Sequence, residues 1–241
     1  MKAIRQDLVE ATASAAKEFW DRKLTPGGDG GDLSLRDPET GYIYILPKPS
    51  PDRPIPNWGT IGADYVAIVD AEGRDVGDNG VEPTVELDTH LLVYEARPEV
   101  NAIIHSHGEV SQIFAIFRWD VPTYTPETYF IGGRGPIKCA PTGGVATVEC
   151  AKQAVKALGS DAKAALLPFH GAVCVGRDLA EAFQVAEMTE RAARQAIVIR
   201  LMGGTAPMTM FDLLGEERMA KLHEHTNGGA ELDDEALGKM L

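Results

Sequence analysis

Some segments of the chain space their apolar residues with the period of a helix, and other segments with the period of a strand. Within the first twenty residues, apolar side chains recur at steps of three and four, which predicts an amphipathic helix. Those positions are Ile4, Leu8, Ala11, Ala15 and Phe19. The clearest later helix is predicted to start at Asp178, with Glu181 three residues on as in a capping box, and to end at Gly203.

Shorter segments lie between these two helices. The pattern predicts strands over 32–36, 42–46 and 65–70, a buried strand over 101–107 and a strand pair within 164–176. It predicts helices over 83–96, 110–117 and 146–158. A glycine-rich loop over 25–32 and a segment with five prolines over 47–58 interrupt the regular elements.

The order of these elements favours one α/β domain, residues 1–241, with helices covering a mixed sheet. We find no internal repeat and no glycine fingerprint of a dinucleotide fold. Residues 205–241 are polar, and we expect them to form a peripheral C-terminal tail in which His223 and His225 are solvent-exposed.

Composition excludes several classes of protein. The chain has 241 residues, with 23 basic against 36 acidic side chains and a net charge of −13, which argues against a nucleic-acid partner. No apolar run approaches the ~20 residues of a membrane span, and no signal-peptide core is visible, so we expect a cytoplasmic protein without a membrane partner. The three cysteines show no CxxC spacing and are expected to be free thiols.

The candidate chemistry begins with two histidines on the predicted buried strand. His105 and His107 are two residues apart, so their side chains point to the same side of a strand and can face one ion. His170, before Gly171, is a third candidate ligand, and Glu86 is a candidate carboxylate. Three imidazoles and a carboxylate suit zinc or another first-row divalent ion. His90 is interpreted as packing in the core or orienting Glu86.

Five short segments together resemble one known family, although each alone is a weak signal. They are Gly31-Asp32-Leu33-Ser34-Leu35-Arg36, Pro83-Thr84-Val85-Glu86, the run RPEVNAIIHSHG at 97–108, Cys139-Ala140-Pro141 and His170-Gly171. In order and spacing, over about residues 5–202, the chain resembles the class II aldolase/adducin family, which includes L-fuculose-phosphate aldolase and L-ribulose-phosphate 4-epimerase.

The resemblance implies a three-layer αβα sandwich around a mainly antiparallel central sheet, assembled as a homotetramer with sites between adjacent subunits. It implies one divalent metal ion per subunit (zinc, manganese, cobalt or magnesium), held by His105, His107 and His170. Glu86 becomes the acid/base, and Tyr129 falls where a neighbouring subunit contributes a tyrosine. The expected substrate-binding residues are Asp32, Ser34, Arg36, Lys48 and Thr84.

The chain departs from this family where sugar-phosphate enzymes hold their phosphate. Asp32 replaces an asparagine, Lys48-Pro49 replace a threonine-glycine pair, and Thr84-Val85 replace two serines. Asp32 adds a negative charge, Pro49 removes a backbone N–H donor, and Val85 removes a hydroxyl donor. We therefore expect a decarboxylase of a hydroxylated, aromatic carboxylate, held by Arg36 and Lys48. The alternative is a sugar-phosphate aldolase or 4-epimerase in which Lys48 replaces the lost contacts. A non-catalytic adducin-like scaffold is a remote third, because such scaffolds lack the metal histidines.

Overall fold

The computed structural model describes residues 2–25, 28, 30–209 and 212–215. In this part of the chain, seven strands form one sheet. They are β1 (Asp32–Arg36), β2 (Ile43–Ile45), β3 (Ala67–Val69), β4 (Ala102–Ser106), β5 (Lys138–Cys139), β6 (Ala164–Leu166) and β7 (Ala172–Gly176). The α-helices are α1 (Gln6–Asp21), α2 (Leu87–Ala96), α3 (Glu109–Phe117), α4 (Pro126–Ile131), α5 (Val148–Leu158) and α6 (Leu179–Leu201).

The sheet is mainly antiparallel, as the resemblance implies. Its strand order is β3-β2-β1-β4-β7-β6-β5, and only the β5–β6 pair is parallel. The central strand β4 pairs with β1 on one side and with β7 on the other, in a register that places His105 opposite both Asp32 and Val173.

Helices cover both faces of the sheet and complete the three layers. On one face, Ile104 of β4 belongs to a core with α1, α3 and α6. On the other face, Ile103 packs in a core with α2 and α5. Because β4 is buried on both sides, its residues are apolar without alternation until His105. His105 shares the face of Ile103, which is the face that α2 covers.

The helix predicted from residue 83 begins later, at Leu87. Pro83 forms a β-bridge with Pro47, and the Thr84 amide donates to the Leu46 carbonyl oxygen at 2.9 Å, so this segment is held in extended form beside the sheet. Glu86 therefore occupies the N-cap position of α2, where its side chain makes no capping hydrogen bond, and does not lie within the first turn.

The sequence prediction omitted α4 and began α5 too early. Thr125 caps α4 through a hydrogen bond from the Thr128 amide, and Pro126 occupies the first turn, which is a start signal visible in the sequence. Helix α5 begins at Val148 and not at 146, because Ala146 has a left-handed backbone with φ of 55°.

Arg36 was expected to bind substrate, but the structure places its side chain away from the cavity beside the three histidines. It lies four residues from Asp32 along β1, about 13 Å away at ~3.3 Å per residue. Its guanidinium donates to the carbonyl oxygens of Tyr94 at 2.9 Å and Pro98 at 2.7 Å, and it lies over the Tyr94 ring. Arg36 thus joins β1 to the end of α2, away from the histidines.

Within the described residues, no helix combines the length and the apolar character needed to cross a membrane. Of the expected C-terminal tail, only 205–209 and 212–215 are described, and the Met208 amide donates to the Thr123 carbonyl oxygen at 2.7 Å. His223 and His225 lie outside the described residues.

Candidate metal centre

Three imidazole rings meet at the end of β4. The Nε2 atom of His105 lies 3.1 Å from that of His107 and 3.2 Å from that of His170. An ion bound tetrahedrally at zinc–nitrogen distances of 2.0–2.1 Å would hold its ligand nitrogens about 3.3 Å apart. The three rings therefore have the spacing of metal ligands, and the structure brings together the histidines that the sequence nominated.

Backbone contacts fix the first two rings. The Nδ1–H of His105 donates to the Ala172 carbonyl oxygen at 3.2 Å, which leaves Nε2 as the atom with a free lone pair. The amide of His107 donates to the Leu24 carbonyl oxygen, next to the glycine-rich loop. A Cβ atom at Gly30 would lie 2.8 Å from Nδ1 of His107, so only glycine lets this loop approach the ring.

The third ring is presented by a tight turn between β6 and β7. Phe169 has a φ of 61°, a left-handed conformation that costs about 1 to 3 kcal/mol for such a residue. The Phe169 amide donates to the Ala115 carbonyl oxygen, and Gln112 Nε2 donates to that of His170 at 2.7 Å. A Cβ atom at Gly171 would lie 2.2 Å from the Ser106 carbonyl oxygen. The turn is thus held in place by α3 and β4.

The three rings are uncharged at neutral pH. Burial lowers the pKa of His105, His107 and His170 to about 4, since the charged form is costly away from water, and each ring also disfavours charge on its neighbour. Neutral imidazoles offer the lone pairs that a divalent ion requires. The donor set therefore fits a metal ion.

Glu86 stands beside this centre. Its Oε1 atom lies 4.0 Å from Nε2 of His170 and accepts a hydrogen bond from the Ala146 amide at 2.9 Å. Burial raises the pKa of the Glu86 carboxyl, and the negative charge of Asp32 raises it further. A carboxyl group with a raised pKa next to a candidate metal centre is suited to acid/base chemistry.

Asp32 also faces the centre, and both of its carboxylate oxygens are engaged. Oδ1 lies 2.7 Å from His90 Nε2, and Oδ2 accepts from the Thr84 hydroxyl at 2.5 Å. Burial alone would raise the pKa of Asp32, but the interactions with His90, His105 and Thr84 together outweigh it and hold the pKa below its usual range. His90 therefore orients Asp32; the expectation that it orients Glu86 is wrong.

A cavity opens next to the three histidines. Asp32, Thr84 and Glu86 line it with the histidines, and Lys48 is the only cation among the described residues of its wall. The Lys48 ammonium forms an ion pair with Glu82. The remaining wall is apolar or backbone, from Gly30, Gly31, Pro47, Pro49, Trp58, Val85 and Val145.

Two other expected site residues lie elsewhere in this chain. Ser34 is fully buried behind Asp32, where its hydroxyl lies 2.6 Å from His90 Nδ1, so it does not reach the cavity. Tyr129, on α4, is buried and lines a different cavity with Arg134 and Pro207. Ser34 shares the face of Asp32 but lies two residues further along β1, away from the cavity. The prediction for Tyr129 concerns the site of a neighbouring subunit.

Sequence reasoning missed three contributors. It interpreted His90 as packing in the core or orienting Glu86, although His90 and Tyr94 occupy one face of α2 at a spacing of four. It gave no role to Trp58, at the end of the five-proline segment, or to the amide of Ala146. The positions of Trp58 and of the Ala146 amide depend on loop conformations that the residue pattern does not predict.

Known proteins resemble this chain in sequence and in structure. The family model for the class II aldolase and adducin N-terminal domain matches residues 10–197. A 5-deoxy-D-ribulose 1-phosphate aldolase of Bacillus thuringiensis serovar kurstaki is 31% identical over 175 residues, covering 69% of this chain and 74% of the relative. A 3-oxo-tetronate 4-phosphate decarboxylase of Haemophilus influenzae is 27% identical over 190 residues, covering 77% and 84%. A solved L-fuculose 1-phosphate aldolase superposes with a TM-score of 0.79 at 24% identity, covering 92% and 98%.

The histidine cluster predicts that metal binding depends on His105 but not on its neighbour in β4. We expect the His105→Ala variant to lose stoichiometric zinc when purified protein is analysed by atomic emission, because one of three ligands is removed. The matched control is Ser106→Ala, since Ser106 is equally buried on the other face and its hydroxyl has no hydrogen-bond partner among the described residues. Equal zinc content in the two variants would show that the ion does not bind at the three histidines.

Proposed function

Because the chain belongs to the class II aldolase and adducin family, we propose that it is a divalent-metal-dependent carbon–carbon lyase that decarboxylates a hydroxylated, aromatic carboxylate. The observation that carries the choice of reaction is the carboxylate of Asp32, which both of its partners hold at the cavity wall in its charged form.

The Nε2 atoms of His105, His107 and His170 would hold the ion, which is zinc, manganese, cobalt or magnesium. When bound, it supplies a positive charge that stabilises the negative charge developing on the substrate as a carbon–carbon bond breaks. His105 is kept in the required tautomer by the Ala172 carbonyl oxygen.

Glu86 would handle the proton. Its raised pKa favours a protonated carboxyl group that can deliver a proton to the carbon from which carbon dioxide has left. Oε1 is the oxygen that lies toward the histidines, 4.0 Å from His170 Nε2, and the Ala146 amide holds it there. Oε2 accepts a 3.4 Å hydrogen bond from the Thr89 hydroxyl on the α2 side.

The cavity wall disfavours a phosphate. At an effective dielectric of about 20, a carboxylate ~4 Å from a phosphate oxygen costs on the order of 4 kcal/mol per unit charge. Pro49 has no N–H to donate, and Val85 has no hydroxyl. An aromatic ring is better matched to Trp58, Val85 and Val145, and Lys48 could pair with its carboxylate.

A sugar-phosphate aldolase or 4-epimerase is the second candidate. Its support is that the relatives described above include a 5-deoxy-D-ribulose 1-phosphate aldolase, and that the decarboxylase relative is also named for a phosphorylated compound. In this case Lys48 would leave Glu82 and pair with the phosphate.

We also propose that the chain forms a homotetramer with each site between adjacent subunits, to which Tyr129 of the neighbour contributes. Apolar side chains near the centre support this assembly: Phe169, beside His170, is 59% exposed, and Val85, beside Thr84, is 62% exposed. Such exposure next to a cavity is typical of a surface that another subunit covers.

The proposed reaction predicts which product is released. We expect metal-loaded protein to release carbon dioxide from carboxyl-labelled hydroxybenzoates, followed by carbon NMR, and to release no aldehyde from sugar 1-phosphates. Glu86→Gln should keep its metal and lose about 10²- to 10⁴-fold in kcat, because proton transfer is removed. Glu82→Gln makes the same charge change at the ion pair with Lys48 and should leave kcat nearly unchanged. Aldehyde release without carbon dioxide would establish the second candidate instead.

The charge of Asp32 predicts the ligand preference of the site. Asp32→Asn should tighten binding of phosphoglycolohydroxamate at least about tenfold and leave glycolohydroxamate almost unaffected, because only the phosphorylated ligand meets the removed charge. Calorimetric titration of metal-loaded protein measures both. Asp88→Asn, on α2 outside the cavity, is the control for net charge. An unchanged preference in Asp32→Asn would mean that Asp32 does not face the ligand.

The assembly predicts that two defective subunits can complement each other. If Tyr129 serves the neighbour's site, refolding Glu86→Gln subunits together with Tyr129→Phe subunits creates some sites with both intact groups. We expect the mixture to exceed the summed turnover of the two homo-oligomers. A mixture no more active than that sum places both groups in sites of one subunit.

A further inference from the structure

Behind Asp32, a row of polar side chains leads from the cavity into the layer between the sheet and α2. His90 Nε2 lies 2.7 Å from Asp32 Oδ1, and His90 Nδ1 lies 2.6 Å from the Ser34 hydroxyl. That hydroxyl lies 2.7 Å from the hydroxyl of Tyr94. All four side chains are buried. We call this row the Asp32–Tyr94 chain; it consists of Asp32, His90, Ser34 and Tyr94.

The hydrogen atoms of this chain can be assigned in one consistent direction. The Tyr94 hydroxyl donates to Ser34, the Ser34 hydroxyl donates to Nδ1 of His90, and Nε2–H of His90 donates to Asp32. Each hydroxyl then donates once and accepts within its capacity. In this arrangement Asp32 receives a directed N–H, and the ring of His90 cannot turn without breaking two hydrogen bonds.

A buried carboxylate usually has two ways to avoid an approaching anion. It can rotate away about its side-chain bonds, or it can take up a proton. Thr84 holds one oxygen of Asp32 and His90 holds the other, so rotation would leave buried polar groups without partners. A proton on Oδ1 would meet the N–H of His90, so protonation there would set a donor against a donor.

We propose that His90 is a positioning residue, locked by Ser34 and Tyr94, which makes the carboxylate of Asp32 a fixed selector against phosphorylated ligands. This inference rests on the role given to Asp32 in the proposed function. It extends that role to residues that do not touch substrate. The selection against phosphate depends on Ser34, which contacts His90 and not Asp32, and which lies outside the cavity wall.

The test uses a small change far from the ligand, Ser34→Ala, in metal-loaded full-length protein. The affinity ratio between glycolohydroxamate and phosphoglycolohydroxamate is measured for wild type, Ser34→Ala, Asp32→Asn and the double variant. We expect Ser34→Ala to lower the preference for glycolohydroxamate about three- to tenfold by loosening His90, as for a lost buried hydrogen bond. In the Asp32→Asn background it should change nothing, because the charge it positions is gone.

Thr12→Val is the matched control, since it deletes a buried hydroxyl that, in the part of the chain the structure describes, donates to the Leu8 carbonyl oxygen within α1. It should lower the melting temperature without changing the affinity ratio. If Ser34→Ala behaves in the same way, the Asp32–Tyr94 chain is only structural and the inference is wrong. If Asp32→Asn itself leaves the ratio unchanged, the failure lies in the proposed role of Asp32 and not in the chain behind it.

A spectroscopic measurement covers the case in which Ser34→Ala does not fold. In wild-type protein labelled with ¹⁵N-histidine, His90 should show Nε2 protonated and Nδ1 unprotonated, with a strongly deshielded Nε2–H proton. Asp32→Asn should move that proton resonance upfield, because an amide oxygen is a weaker acceptor than a carboxylate. A His90 ring protonated at Nδ1 alone would contradict the assigned direction of the chain.

Discussion

The antiparallel pairing of β4 with β7 is the constraint on which the site depends. It sets His105 opposite Val173 and brings the Ala172 carbonyl oxygen to Nδ1 of His105. The same pairing holds the turn before β7 against the end of β4, which places His170 beside His105. A one-residue shift in this register would turn His105 to the opposite face of the sheet and disperse the ligands.

Beside these histidines, the surroundings of two carboxyl groups shift their pKa values in opposite directions. Asp32 receives hydrogen bonds at both oxygens and has a lowered pKa, whereas Glu86 is buried near the charge of Asp32 and has a raised pKa. One fold thus places a carboxyl group with a lowered pKa and another with a raised pKa beside the same three histidines. This separation of roles follows from hydrogen-bond donors, since both groups are buried.

Sequence patterns predicted the parts of this structure that depend on local periodicity. The strand over 32–36, the buried histidine strand and the long C-terminal helix have nearly the expected bounds. Residue types and family resemblance nominated the three histidines. The patterns failed where a backbone amide or a contact between residues distant in sequence determines the position of a side chain. Arg36 binds carbonyl groups at the end of α2, and His90 turns toward β1, neither of which is visible from spacing alone.

The central claim is that a metal ion binds at the three Nε2 atoms while Asp32 stays hydrogen-bonded to His90. Its most direct test is a crystal structure of zinc-loaded protein with anomalous difference maps above and below the zinc edge. The account predicts one peak 2.0–2.1 Å from Nε2 of His105, His107 and His170, with the Asp32–His90 contact intact. A peak held by Asp32 in place of one histidine, or no peak at the three rings, would contradict it.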